Sequence, residues 1–365
     1  FGTPDFAIPT LNALHESRHD ILGVVTSPDK MAGRGLKVQS PSIKKKAEVF
    51  GIPIFQPVEL NNDEFISTLK QINPDIYVVV AYKILPESIL NIPNKGAVNL
   101  HASLLPKYRG AAPVNHAILN GDTEIGLSTF LIQKKVDTGD LLFQHSMQID
   151  NAITTGEALS KLSLIGAELI IKTLTALAEN NIKPFKQDSE KATYAPKISV
   201  GDCKINWLKT ADSIHNQIRA FSPKPGAFTF YNDKRVKLFG SKVLRNTSSA
   251  SLVPGQIEYA DSIFKIGTAT EPIQITNIQI EGKKDASLPT CPALVIEPQP
   301  THARVRRESS VHAREAGCHR RTSRRSRSRW WRLRRSAARA PGTAGSGGRI
   351  GAGAARVSLQ GPAAR

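Results

Sequence analysis

Three short runs, ILGVVTS (21–27), IYVVVAY (76–82) and AVNLH (97–101), are apolar without alternation, and stretches of helical periodicity separate them. Nothing else in the chain constrains its fold as strongly. Continuous apolar runs read as strands covered on both faces. PSIKKKAEVFG (41–51) and NNDEFISTLKQIN (61–73) read as helices, the first ended by Gly51. Strands joined through helices of this length need right-handed crossovers, so residues 1–150 are expected to form an α/β, Rossmann-like unit around a parallel sheet. IGLSTFLI (125–132) and DLLFQHSMQI (140–149) add two strands. A helix is expected over 154–179, capped by Thr154 or Thr155, because Glu157 follows at capping-box spacing.

The periodicity weakens over 181–206, which reads as a linker, and 207–220 reads as a helix. Short β-rich runs follow, with a hairpin turn at Tyr231-Asn232-Asp233-Lys234, so 207–290 is expected to be a small β-barrel of the oligonucleotide-binding (OB-like) kind. The formal charge of +18 is unevenly spread: residues 291–365 carry 17 arginines, no lysine and three glutamates. Most of the basicity therefore sits in this last segment, and the first 290 residues are only mildly basic. Residues 291–365 show no apolar periodicity that would offset ordering entropy, and are expected to be a disordered Arg-rich tail. The abrupt loss of Lys, Asp, Asn and Phe equally suits a frame error or a fused foreign sequence. No apolar run reaches transmembrane length, no leader is visible, and the opening Phe suggests that the true start is missing. Three cysteines form neither a disulfide framework nor a metal set, which points to a reducing compartment and to no metal.

Chemistry concentrates in GAVNLHASLLPKYRGAAPVNHAILNG (96–121). Asn99 and His101 are two apart on a strand and so share a face. They lie at its carboxyl end, where open parallel sheets bind ligands. Asn99 can donate to an oxygen gaining negative charge, and His101 can move a proton. His101 can equally serve only to bond a loop carbonyl. In VDTGD (136–140), Asp137 suits a carboxylate that stabilises an imidazolium, or one that merely bonds backbone amides; Asp140 reads as the latter, an Asx-type turn. SPDKMAGRGLKVQSPS (27–42), with Lys30, Arg34 and Lys37, reads as a mobile basic loop of about 16 residues suited to an anionic partner. A dinucleotide fingerprint, a zinc motif and a nucleophile elbow are all missing, which argues against those enzyme classes.

GTPDFAIPTL, SPDKMAGRG, NLHASLLPKYRGAAPVNHAILNG, VDTGD, TYAPKI and IRAFSPKPGAF occur in that order, and together resemble the methionyl-tRNA formyltransferase family, within the folate-dependent formyltransferases. The resemblance runs from residue 1 to about 287. It implies transfer of the formyl group of 10-formyltetrahydrofolate, a co-substrate, to the amino group of methionine on initiator tRNA. It implies a catalytic domain over 1–180 and a tRNA-binding domain over 207–290. It assigns catalysis to Asn99, His101 and Asp137, the folate site to Ser103, Leu104, Leu105 and Pro106, and contact with the tRNA acceptor end to the loop holding Arg34 and Lys37. The chain departs from the family pattern in the strand before GTPDF, in AYKILP (81–86) where a glycine is usual, at Lys224 where tryptophan is common, and after GKK.

Two rival functions are open at this point: formyl transfer to a nucleotide amino-sugar on the same scaffold, and non-catalytic RNA binding through the arginines around Trp330 and Trp331. Lys197, Lys204, Lys209, Lys234, Arg235, Lys237 and Lys242 spread positive charge over the second domain. A monomer in a bacterial cytoplasm, with no membrane partner, is the default; a mitochondrial form is the alternative.

Overall fold

A computed structural model describes residues 1–32, 37–245, 252–260, 263–282 and 286–287. The first elements are α1 (Ile8–His15), β1 (Val24–Val25), β2 (Lys30–Ala32), β3 (Lys37–Gln39), α2 (Ser42–Val49), β4 (Ile54–Phe55) and α3 (Asp63–Ile72). α3 starts where Asn62 accepts the N–H of Phe65, and stops at Asn73, whose left-handed backbone closes the last turn. β5 (Tyr77–Val80), α4 (Glu87–Leu90) and β6 (Ala97–His101) follow. β5 and β6 pair in parallel, with Val79 beside Asn99, and β1 pairs in parallel with β4.

Phe1 and Gly2 join these two pairs. Gly2 donates its N–H to Val25 at 3.0 Å, and the carbonyl of Phe1 accepts from Val80 at 2.9 Å. A side chain at Gly2 would stand 2.9 Å from Ala7 Cβ, so only glycine passes here without a shift. Beyond Phe1, residues of 21–25 and 76–80 line a cavity of about 620 Å³.

After β7 (Arg109–Gly110) and α5 (Pro113–Leu119), the chain forms β8 (Glu124–Leu131), β9 (Leu141–Gln148) and α6 (Thr155–Ala178). The sheet is not parallel throughout: β6 pairs antiparallel with β8, and β8 with β9. Residues 132–140 are a short loop, and a parallel crossover needs a dozen or more residues. The α6 capping box forms as the spacing predicts, between Thr154 and Glu157. Gly166 of α6 packs onto Leu100, where a Cβ would stand 2.6 Å from Leu100 Cδ2. That contact assigns one face of β6 to α6 and leaves Asn99 and His101 on the other.

The basic segment 27–42 is not an open loop at its ends. β2 and β3 pair as an antiparallel hairpin with Met31 opposite Val38. Its base is tied down: Asp29 accepts from Lys44 and from Gln56, each at 2.8 Å. Arg34 lies outside the described residues, and of Lys37 only the backbone is described.

The remaining elements are β10 (Tyr194–Ala195), α7 (Ala211–Ala220), β11 (Ala227–Tyr231), β12 (Lys234–Val243), β13 (Ile257–Ala260), β14 (Ile263–Ile266), β15 (Ile273–Ile280) and β16 (Ala286–Ser287). Thr210 caps α7. The strands build a six-stranded antiparallel sheet in the order β11-β12-β15-β14-β13, with β16 on β15. The expected hairpin turn falls at Asn232 and Asp233, both left-handed, as a two-residue hairpin requires. The expected tail, with Trp330 and Trp331, lies outside the described residues. Among the described residues, no helix is long and apolar enough to cross a membrane.

Candidate active site

β6 delivers its polar pair at the end of the sheet. Asn99 is half-buried and lies between Val79 of β5 and Phe130 of β8, both in the core. Its amide makes no side-chain hydrogen bond to a described residue, so its donors are available to a bound group. His101 is buried and lies opposite Ser128.

The next residues turn sharply, and Ser128 and Gln144 set the turn. The Ser128 hydroxyl donates to Ser103 O at 2.7 Å and accepts the N–H of Leu105 at 3.0 Å. Gln144 donates to Leu105 O at 2.9 Å and to Ser128 at 2.8 Å. The Leu105–Pro106 peptide is cis. Ser103 and Leu104 line a pocket of about 310 Å³ with Tyr108, Asp122 and Glu124. That pocket does not include Asn99, His101 or Asp137. Leu105 is in the core with Phe130 and Leu141, so it can shape a folate site only through its backbone.

Two residues with left-handed backbone flank the His101 ring, Tyr108 at φ +61° and Asp137 at φ +53°. Such conformations are costly away from glycine and persist only where the surroundings over-determine them. The Tyr108 carbonyl lies 2.9 Å from His101 Nε2. A carbonyl only accepts, so Nε2 carries a proton. The alternative of a loop-carbonyl partner for His101 is therefore part of the arrangement, and it frees Nδ1. Asp137 Oδ2 lies 3.8 Å from Nδ1, within ion-pair range and too far for a direct hydrogen bond. The same oxygen accepts the N–H of Gly110 at 2.8 Å. Asp137 thus bonds a backbone amide and also stands beside the His101 ring.

Asp140 corrects its expectation. No Asx-type turn forms; its carbonyl accepts the N–H of Leu131 at 3.0 Å and so closes the β8–β9 connection. The glycine before it is obligatory, because a Cβ on Gly139 would stand 1.6 Å from Leu131 O.

Tyr108 is pinned at every polar atom. Thr193 accepts its N–H at 2.8 Å, its hydroxyl donates to Asp122 at 2.8 Å, and Asn120 donates to that hydroxyl at 3.0 Å. Burial, chiefly, pushes the phenol up to about 12, which keeps it protonated as a donor. Sequence reasoning missed Tyr108, because a backbone carbonyl and a φ angle leave no mark in residue type. It also missed the connector's role: β10 pairs in parallel with β7, so 194–195 runs beside 109–110.

Charge in the second domain gathers on aromatics. The Arg235 guanidinium lies 4.6 Å from the Phe228 ring and 6.0 Å from Phe230, and Lys204 Nζ lies 5.9 Å from Phe230. Phe230 is half exposed.

An α/β sheet with a polar pair at its carboxyl edge, followed by an antiparallel β-unit, matches two family models. Residues 1–174 match formyl transferase, and 197–291 match the formyl transferase C-terminal domain. Among solved structures, the sugar 3N-formyl transferase WlaRD shares the fold, with a TM-score of 0.58 at 22% identity over 78% of this chain and 97% of that one. An N-formyltransferase from Helicobacter canadensis gives a TM-score of 0.57 at 23% identity, over 75% and 96%. Much nearer in sequence is the methionyl-tRNA formyltransferase of Thermodesulfovibrio yellowstonii, 46% identical over 78% of this chain and 91% of its relative. That of Clostridium acetobutylicum is 42% identical over 79% and 93%. The chain belongs to the methionyl-tRNA formyltransferase family.

Proposed function

We propose that this enzyme formylates the amino group of methionine carried on initiator tRNA, with 10-formyltetrahydrofolate as donor. Membership of the family supports the reaction. The observation that carries the assignment of residues is the placement of Asp137 Oδ2 3.8 Å from Nδ1 of His101, on the strand face that also bears Asn99. The donor set fits a carbonyl that becomes negative: one free amide, one titratable ring and one acid beside it. When bound, the folate supplies an activated formyl carbon on nitrogen.

The methionine amine bonds to that carbon and the carbon–nitrogen bond to folate breaks; the amine gives up a proton and the folate nitrogen gains one. Asn99 donates to the formyl oxygen as charge develops there. His101, held through Nε2 by Tyr108, moves the proton at Nδ1. Asp137 stabilises that ring when it is charged and orients a water between them. Ser103, Leu104 and the backbone of Leu105 and Pro106 shape the folate side. For this task the chain divides into a catalytic part (1–180), a connector (181–206) and a tRNA-facing part (207–290). Arg34 and Lys37 of the basic segment 27–42 serve the acceptor end, and Arg235, Lys204 and Phe230 offer phosphates and a base a charged stacking surface. The cytoplasm, where initiator tRNA is charged, is the setting, and a monomer suffices.

The test offers the enzyme 10-formyltetrahydrofolate with charged initiator tRNA or with a nucleotide amino-sugar. Methionine recovered from the tRNA is expected to gain the mass of one formyl group. Formylation of the sugar and not of the tRNA would overturn the assignment.

A further inference from the structure

The connector between the two matched regions holds a side chain whose four hydrogen bonds all end on the active-site loops. Gln187 is half-buried. Its Oε1 accepts from both Nε and Nη2 of the buried Arg109, at 3.1 and 2.7 Å. Its Nε2 donates to the carbonyls of Asp137 and Gly139, at 2.9 and 2.8 Å. The amide therefore has no spare donor and one fixed orientation. It ties the loop bearing the acid to the loop bearing Arg109, which follows Tyr108, the residue that bonds the other edge of His101.

We infer that Gln187 is a positioning residue: it fixes the Asp137 loop, in its left-handed conformation, at the distance from His101 that formyl transfer requires. The inference rests on the reaction assigned above. A carboxyl group that is free to drift by an ångström leaves the imidazole without its partner, and misplacement on that scale costs about a hundredfold in rate. The two donors from Nε2 are the groups that matter. The Arg109 contact on Oε1 orients the amide, and only the other end of it holds the acid's loop.

Two substitutions separate these ends. Gln187→Ala removes both. Gln187→Glu keeps the acceptor for Arg109 and strengthens that contact, but it sets an oxygen against the two carbonyls in place of a donor. Both variants are expected to lose about tenfold to a hundredfold in kcat, with KM for tRNA and for the folate changed by no more than about twofold. Gln187→Glu is expected to stay folded, with a single cooperative thermal transition. Should Gln187→Ala not fold, Gln187→Glu carries the test alone. A Gln187→Glu enzyme with wild-type kcat would show that the residue serves only to hold Arg109, and would overturn the inference.

A second readout does not depend on turnover. The imidazole ¹⁵N signals of His101 in the folded protein are expected to move in Gln187→Glu in the same direction as in Asp137→Asn. Unmoved signals would overturn the inference. A wild-type enzyme that formylates nothing would instead remove the proposed reaction, while the His101 signals would still decide whether Gln187 places the acid.

Discussion

The turn around His101 and the sheet face around Phe230 treat polar groups in opposite ways. At the turn, Tyr108 is bonded through its N–H, its carbonyl and its hydroxyl, and Asp137 through its carboxylate and its carbonyl. At the sheet face, Arg235 and Lys204 rest on aromatic rings 4.6 to 6.0 Å away, with one ring half in solvent. Bond making needs groups placed to within fractions of an ångström before the substrate arrives. Attraction of a polyanion needs charge of the right sign within a Debye length, and tolerates mobile side chains. The difference separates residues that should act on rate from residues that should act on affinity.

The comparison breaks first, and with the largest effect, at the polar pair. Asn99→Ala and His101→Ala are each expected to lose about 10²–10³ in kcat without unfolding. Either variant working at half the wild-type rate would remove that residue from the mechanism. Next comes the backbone under the acid. Gly139→Ala sets a Cβ against Leu131 O, and is expected to cost about 3 kcal/mol in chemical denaturation as the loop is forced aside. Unchanged stability would mean that the loop is not held as described.

On the binding side, Phe230→Ala is expected to weaken tRNA binding by about 1–2 kcal/mol, with kcat at saturating tRNA unaltered. Arg235→Ala should in addition reduce the slope of log affinity against log salt by about 1. A fall in kcat at saturation would dissolve the division between the two regions. The smallest effect belongs to a control remote from both chemistries. Thr154→Ala removes the capping hydroxyl of α6 and is expected to cost about 1 kcal/mol of stability. Hydrogen bonds from the Thr154 backbone and then its side chain hold the Glu157 carboxyl below its ordinary value. The folded state thus binds its proton less readily than the unfolded one. The stabilisation is full above the ordinary glutamate range and fades as pH falls through the depressed value. Thr154→Ala should flatten that acid limb in thermal melts across pH 3–6, about the range in which glutamate titrates, leaving kcat and tRNA affinity untouched.

Much of this was legible in one dimension. The 2-residue spacing of Asn99 and His101, the Thr154–Glu157 cap and the Asn232-Asp233 turn are local, because each depends on backbone geometry within a few residues. The motif from 96 to 121 marks the family and the strand end together. By contrast, the direction of β8 and β9 was not written in the sequence, and the pairing of 30–32 with 37–39 and the missing Asx turn at Asp140 came out otherwise than expected. Each of these depends on which distant strand or carbonyl an N–H meets, and composition does not record that.

By itself, the chain determined that an amide and an imidazole would leave one strand on one side, since alternation is built into extended backbone. Only the tertiary structure decided what stands around them. Tyr108 O, Asp137 Oδ2 and the Gln187 amide reach His101 and its neighbours across 7, 36 and 50 positions of sequence. Contacts between segments that far apart are selected by packing of the whole sheet, not by any preference of the residues that make them.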